Sequence, residues 1–150
     1  MFHVKPDEAR EAIAAGASEL GVAVTPEAME AMLLHLEMVL SAAMDMNLTT
    51  IDTLDTAIRL HVLDSLSATP FLEGCKTLVD LGSGAGYPGI PLGVASGWPV
   101  SLVESRARRA GFLSDVASRL APSGFEVSVL HGRAEEERVI ADTGEADPGR

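Results

Sequence analysis

The 150-residue sequence has few of the residues on which several kinds of site depend. Its single cysteine, Cys75, excludes an internal disulfide and every metal site that is built from several thiolates. Its longest apolar runs are well short of the roughly 20 residues that a membrane-spanning helix needs. The first residues have no basic segment followed by an apolar one, so no secretory signal is expected. We therefore expect a soluble, cytoplasmic protein that does not span a membrane.

Basic residues are also scarce, with 11 Lys and Arg against 22 Asp and Glu, a formal charge of −11. At face value this acidity argues against nucleic acid as a partner. The charge is uneven, however, because residues 1–75 carry 3 bases against 12 acids and residues 76–150 carry 8 against 10. Four of the later bases lie within 14 residues: Arg106, Arg108, Arg109 and Arg119. This shift in composition indicates two structural halves.

The first half, residues 1–75, has the pattern of a helical region. A helix is predicted to begin at Pro6, which is followed by two acids, and to end near Gly21. A second helix is predicted after the capping Thr25, and a third from Asp52 or Thr53. The apolar stripe of the second helix comprises Met29, Met32, Leu33, Leu36, Leu40 and Ala43, and that of the third comprises Leu54, Ile58, Val62 and Leu66. Both stripes are interpreted as core.

The second half has the alternating strand and helix pattern of a parallel α/β sheet. Short apolar runs at residues 77–81, 100–104 and 125–130 predict three strands. A helix is predicted from Arg106 to Leu120, between the second and third strands. Strand, helix and strand in this order indicate βαβ units. We assign residues 76–141 to this half and expect residues 142–150 to be a frayed tail.

A glycine-rich segment at residues 80–89 follows the first predicted strand and is the most informative motif. It lacks the Gly-Lys-Ser/Thr of a phosphate-binding loop. Gly84, Gly86 and Gly89 match the dinucleotide fingerprint, with Glu104 near the expected offset for a ribose-binding acid. Asp80, two residues before Gly82, together with Glu104 at the end of the next strand, also fits S-adenosylmethionine (SAM), whose methionine end is cationic. The motif alone leaves NAD and SAM open.

The order of motifs resembles that of the glucose-inhibited division protein B family, the bacterial 16S ribosomal RNA guanine-N7 methyltransferases. The resemblance covers about residues 25–137, and its most specific part is residues 80–92. The supporting blocks are residues 47–49, 60–66, 104–113 and 132–136. It implies a class I SAM-dependent methyltransferase fold, an α/β Rossmann-like parallel sheet of which only the first strands are present, preceded by an N-terminal helical region.

The resemblance also implies a set of cofactor-binding residues. Gly82, Gly84 and Tyr87 would belong to the SAM loop, and Glu104 would hold the ribose. Two further residues, Ala134 and Glu135, would flank the adenine. From the residues alone, Tyr87 could equally be a loop aromatic packed on its neighbouring proline, and the pair at 134–135 could be the first turn of a short helix.

The implied reaction needs no general base, because guanine N7 already carries a free lone pair and the enzyme has only to align donor and acceptor. We therefore assign no catalytic residue. No metal site is expected either, because the four histidines are scattered along the chain. The implied partner is 16S ribosomal RNA of the small ribosomal subunit, not DNA. Apart from the resemblance, the only sequence feature that supports binding to RNA is the arginine cluster.

Two departures from the family keep other functions open. Leu60 stands where the family has a basic residue, with Arg59 one position earlier. The later strands and a Ser-Arg-Ala segment that lines SAM in the family do not occur in these 150 residues. A fragment, a truncated product or a half-domain completed by another chain is therefore expected. The alternatives are a SAM methyltransferase for another substrate, an NAD-dependent oxidoreductase and an inactive truncated fragment.

Overall fold

The computed structural model describes residues 5–46, 48, 50–51 and 53–136. The helices are α1 (Pro6–Glu19), α2 (Pro26–Met46), α3 (Leu54–Ala57), a π-helical segment (Ile58–Leu63), α4 (Asp64–Leu66), α5 (Gly89–Ser96) and α6 (Ala107–Leu120). Short 3₁₀ turns lie at Thr69–Leu72 and Ala121–Ser123. The strands are β1 (Leu78–Leu81), β2 (Val100–Glu104) and β3 (Val127–His131). The tail predicted at residues 142–150 lies outside the described residues.

The starts of the first helices follow from their local sequence. Pro6 begins α1, where its missing N–H costs nothing, and Gly21 adopts a φ of 71° just beyond its end. The Thr25 hydroxyl accepts the Ala28 N–H at 3.2 Å, which caps α2. These starts and stops agree with the predicted ones.

The third helical segment differs from the regular helix that the sequence predicts. Thr53 caps it, with its hydroxyl accepting the Thr56 N–H at 3.3 Å; Asp52, the alternative start, lies outside the described residues. The segment then widens into a π-helix between α3 and α4. The predicted apolar stripe is still buried, because Ile58, Val62 and Leu66 all lie in the core. A π-turn inserted in an α-helix is uncommon and occurs often at functional sites.

The three strands form a parallel sheet in the order β1–β2–β3. The register pairs Leu81 with Val103, and Glu104 with His131, so the carboxyl ends of all three strands meet at one edge. Central β2 is almost entirely buried, while Leu81 at the end of β1 is exposed. All three strands occur where runs of apolar residues predict them, although β3 begins at Val127, two residues later than expected.

The N-terminal helices and the sheet share one continuous hydrophobic core. Helix α2 packs against both α5 and α6, and α4 packs against α5. The largest fully buried side chains come from both halves; among them are Met32, Leu36, Leu66, Ile90, Leu102 and Leu113. The boundary at residue 75 therefore marks a change of secondary structure without a break in the core. Within the described part of the chain, no helix combines the length and apolarity needed to cross a membrane.

Candidate functional site

The turn after β1 is the centre of the candidate site. Gly82, Gly84 and Gly86 have φ values of 75°, 57° and 98°, a backbone region that residues with a Cβ rarely adopt. The turn is tied to the end of β2, because the N–H groups of Gly82 and Ser83 donate to the Val103 carbonyl at 2.9 and 3.0 Å. The Ser83 hydroxyl donates back to the Asp80 carbonyl at 2.8 Å. We call residues 82–87 the glycine loop.

Glu104, at the end of β2, holds the glycine loop with a buried carboxylate. The residue is 5% exposed. Its Oε2 accepts the Gly84 N–H at 2.9 Å, and its Oε1 accepts the Arg106 N–H at 2.8 Å. Each oxygen thus has one backbone donor and retains a second lone pair for a ligand. Glu104 therefore fixes both the glycine loop and the turn that leads into α6.

Asp80, near the end of β1, bonds to the start of the next helix. Its Oδ2 accepts the Gly89 N–H, the first amide of α5, at 2.9 Å. Burial raises the pKa of the Asp80 carboxyl and the nearby charge of Glu104 adds to this, while the bond from Gly89 lowers it. The amino end of α5 thus already faces a carboxylate.

A cleft of about 340 Å³ opens at the carboxyl edge of the sheet. Its walls combine apolar residues of β1 and β2 with polar residues that follow β2 and β3. The lining residues are Leu81, Gly82, Val103, Ser105, Gly132, Arg133, Ala134 and Glu135. A second cavity of about 560 Å³ shares Ser105, Gly132 and Arg133 with it and extends to Arg106, His131 and Glu136.

The structure brings most of the sequence-predicted residues to this edge. Gly82, Ala134 and Glu135 line the cleft directly. Gly84 and Glu104 bond to each other beside it. Ser105 and Arg133 line the cleft as well but are not among the predicted site residues, and their only sequence signal is their position just after a strand end.

Tyr87 is placed differently from the other predicted residues. Its ring lies between two imidazoles, tilted on His35 and stacked on His61, with both centroid distances 4.5 Å and an interplanar angle of 8° to His61. Its hydroxyl is buried and has no hydrogen-bond partner in the part of the chain that the structure describes, and burial raises the pKa of Tyr87. The ring therefore faces the N-terminal helices and is not among the residues that line the cleft.

His35 is a further residue that sequence reasoning missed. It lies in α2, is fully buried, and places its Nε2 2.7 Å from the Ala85 carbonyl oxygen in the glycine loop. Burial lowers the pKa of His35 to about 4. The sequence feature that could have indicated it is its position beside Leu36 on the apolar face of α2, where ionisable side chains are uncommon.

The four clustered arginines do not form one surface. Arg106 precedes α6 and lines the second cavity, whereas Arg119 lies near the other end of that helix, about 20 Å away at 1.5 Å per residue. Arg119 shares a groove between α2 and α6 with three acids, Glu37, Asp45 and Asp115. Arg106 is thus the member that lies at the candidate site, whereas the exposed Arg108 donates from its guanidinium to the Asp45 carbonyl oxygen of α2 at 3.5 Å. Among the described residues, no three His, Cys, Asp or Glu side chains are grouped closely enough to hold a metal ion.

A parallel sheet, a glycine loop after its first strand and a cleft at the carboxyl edge define a Rossmann-like α/β protein with an N-terminal helical region. The family model "rRNA small subunit methyltransferase G" (GidB) matches residues 28–145. The chain belongs to this family, which is a family of methyltransferases.

Curated relatives carry the same name, ribosomal RNA small subunit methyltransferase G. The chain is 36% identical over 135 residues to the protein of Pseudomonas syringae pv. syringae, covering 88% of this chain and 60% of the relative. It is 34% identical over 126 residues to that of Pseudomonas aeruginosa, covering 82% and 57%. It is 40% identical over 110 residues to that of Coxiella burnetii, covering 73% and 53%. The chain therefore spans somewhat over half the length of the curated relatives it matches.

Proposed function

We propose that this chain is the SAM-binding part of an enzyme that transfers a methyl group from SAM to N7 of a guanine in 16S ribosomal RNA. Family membership supports the methyl-transfer chemistry, and the relatives' names refer to RNA of the small ribosomal subunit. The observation that carries the choice of cofactor is the pair of carboxylates, Asp80 and Glu104, bonded to the glycine loop and to the start of α5. Action on ribosomal RNA would place the protein in the cytoplasm.

The position of Asp80 favours SAM over a dinucleotide. A dinucleotide places its pyrophosphate on the amino end of the helix that follows the glycine turn, where free N–H groups and the helix dipole attract negative charge. Here the first amide of α5 donates to the Asp80 carboxylate, which would repel a pyrophosphate. The cationic methionine end of SAM would be attracted by the same carboxylate.

The cleft fits the adenosine part of SAM. Its volume of about 340 Å³ lies within the roughly 300–1,000 Å³ of typical ligand sites. Leu81 and Val103 offer apolar surface for a purine, and Glu135 offers a hydrogen-bond acceptor. Glu104, whose two oxygens each keep a free lone pair, is suited to the two ribose hydroxyls. We assign Gly82 and Gly84 to the backbone turn that the ligand approaches, and Ala134 and Glu135 to the adenine.

The residues of this chain act by binding and orienting. When bound, SAM supplies a methyl group on a positively charged sulfur, which is electrophilic without further activation. Guanine N7 would bond to the methyl carbon with its own lone pair while the S–CH₃ bond breaks and S-adenosylhomocysteine leaves as a neutral thioether, so no side chain has to remove a proton. Glu104 and the glycine loop set the position of the donor.

Calorimetric titration of the chain with SAM, and separately with NAD, tests the cofactor assignment. Binding of SAM without binding of NAD is expected, and Glu135→Ala should weaken SAM binding. Exposed Glu126→Ala should not, because Glu126 precedes β3 at the amino edge of the sheet, opposite the cleft. Binding of NAD alone would refute the proposal.

The substrate is tested with the chain joined to the remaining segment of a relative. Such a protein should transfer methyl to 16S RNA from cells that lack the native modification, and nuclease digestion with mass spectrometry should detect 7-methylguanosine. Methylation of a small molecule or a protein, with none on this RNA, would replace the substrate assignment.

The contribution of the arginine cluster is tested by the salt dependence of RNA binding in the same joined protein. The double change of Arg108 and Arg109 to alanine should weaken binding and make the slope of log K against log salt less steep by about one unit per lost phosphate contact. Arg119→Ala is the matched control, because Arg119 lies in an acidic groove. An unchanged slope in the double variant would remove these two arginines from the RNA interface.

A further inference from the structure

Helix α2 reaches the glycine loop through one side chain, His35. Nε2 of this fully buried residue lies 2.7 Å from the Ala85 carbonyl oxygen, 50 residues later in the chain. A carbonyl oxygen only accepts hydrogen bonds, so Nε2 carries the proton and Nδ1 carries the lone pair. Nδ1 is buried, and no described residue hydrogen-bonds to it. The ring is therefore held as one neutral tautomer whose single described hydrogen bond goes to the loop.

The same imidazole contacts the next two residues of the loop. A Cβ added at Gly86 would lie 2.9 Å from His35 Nε2 and 2.6 Å from Ile90 Cδ1. The backbone at Gly86 therefore passes too close to the imidazole for a side chain to fit between them. The ring also packs on Tyr87 at a centroid distance of 4.5 Å. On its other face Tyr87 stacks on His61 from the π-helical segment. Three consecutive loop residues thus touch one side chain of the N-terminal helices.

A loop of this composition needs such an anchor. Gly82, Gly84 and Gly86 all occupy the positive-φ region, and glycine loses more conformational entropy on ordering than any other residue. On the ligand side the loop is fixed by Glu104 and Val103. On the opposite side the described contacts come from His35 and, through Tyr87, from His61. A ligand that binds a loop already ordered does not have to supply that ordering free energy.

We propose that His35 is a positioning residue that holds the glycine loop in its ligand-binding conformation, so that the affinity for the cofactor depends on a hydrogen bond made from the N-terminal helical region. His35 does not touch the cleft and acts through Ala85, Gly86 and Tyr87. The identity of the cofactor rests on the proposed function, whereas the ordering of the loop does not.

The first measurement is amide hydrogen exchange in the ligand-free chain, with three substitutions at His35. His35→Leu removes the donor. His35→Gln keeps an N–H donor at nearly the position of Nε2, and His35→Asn carries the same amide on a chain one methylene shorter. We expect the amides of Gly84 and Gly86, which donate to Glu104 and Ser83, to exchange at least tenfold faster in the Leu and Asn variants, and within about threefold of wild type in the Gln variant.

The matched control is Val39→Ala, which removes volume from the same buried face of α2 about one turn beyond His35. Its effect on global stability, measured by urea unfolding, calibrates how much loop exchange rises through general destabilisation alone. The proposal would be overturned if loop exchange in the Leu variant were no faster than this calibration predicts. If His35→Leu does not fold, equal loop exchange in the Asn and Gln variants overturns it as well.

The second measurement is calorimetric titration with SAM. The dissociation constant should rise about tenfold or more in the Leu variant and be largely restored by Gln, with little change in Val39→Ala. Unchanged affinity in the Leu variant, with wild type binding SAM, would refute the link between His35 and the cofactor. Failure of wild type to bind SAM would instead refute the proposed function, and the exchange comparison would still decide whether His35 orders the loop.

Discussion

Gly89, where α5 begins beside the candidate site, leaves no room for a methyl group. A Cβ there would lie 2.7 Å from Asp80 Oδ2, 2.7 Å from Leu102 Cδ2 and 2.9 Å from Asp80 Cβ. The φ of Gly89 is not positive, so steric crowding alone, without backbone strain, opposes a larger residue. The neighbours have little freedom to yield, because the Gly89 N–H holds the Asp80 carboxylate and Leu102 is fully buried.

The expected cost of Gly89→Ala follows from these contacts. Overpacking of this kind costs about 1–3 kcal/mol, and replacing glycine by alanine recovers about 0.4–1 kcal/mol through the lower entropy of the unfolded chain. The three close contacts place the overpacking cost in the upper part of its range, at about 2–3 kcal/mol, so the net loss in the free energy of unfolding should be about 1–2.5 kcal/mol. With a urea m-value of about 2 kcal/mol/M, the unfolding midpoint should fall by about 0.5–1.2 M.

Gly111→Ala is the matched control for this change. Gly111 is exposed in the middle of α6, and an added Cβ meets nothing within 4 Å. Alanine is preferred over glycine inside a helix by about 0.5–1 kcal/mol, so the urea midpoint should rise. A Gly89→Ala midpoint equal to or above that of wild type would refute the inferred close packing of α5 on the sheet.

Two further predictions concern the buried ionisable groups. On lowering the pH from about 7 to about 5.5, the free energy of unfolding should fall by about 1 kcal/mol more in wild type than in His35→Leu. The reason is that His35 binds a proton in the unfolded chain over this range, whereas in the folded chain its pKa is about 4 and it stays neutral. Urea titrations at the two pH values measure this, and equal losses would show that His35 is not buried in the neutral form. Glu104→Gln should cost about 1–3 kcal/mol, because one carboxylate oxygen becomes an NH₂ group facing the N–H of Gly84 or Arg106. Exposed Glu126→Gln should stay within about 0.5 kcal/mol in the same thermal or urea assay, and a similar small change at Glu104 would contradict its two bonds.

The elements that could be predicted from sequence are those whose signal is local. Proline and threonine at helix starts act on the first turn of the same helix, so Pro6, Thr25 and Thr53 mark the starts that the structure has. The strands were found because a buried parallel strand is a short apolar run next to glycine. The glycine loop and Glu104 were found because the turn and the strand-end acid each follow a strand directly.

The features that could not be predicted depend on contacts between distant parts of the chain. His35 and Ala85 are 50 residues apart, and nothing in either neighbourhood specifies that they meet. Tyr87 belongs to the predicted loop, but the side on which its ring packs is decided by the imidazoles of α2 and the π-helical segment. The π-helical widening at Ile58–Leu63 keeps the four-residue spacing of the buried stripe, so periodicity did not reveal it.

These contacts change what the division into two halves means for function. The acidic helical half was separated from the sheet half by composition, and the resemblance placed every cofactor-binding residue in the latter. In the structure the glycine loop is held from both sides, by Glu104 of the sheet and by His35 of α2. The two halves also share one core through α2, α5 and α6. Since an ordered loop lowers the entropic cost of ligand binding, a change in α2 that displaced His35 would act on the cofactor site from outside the sheet.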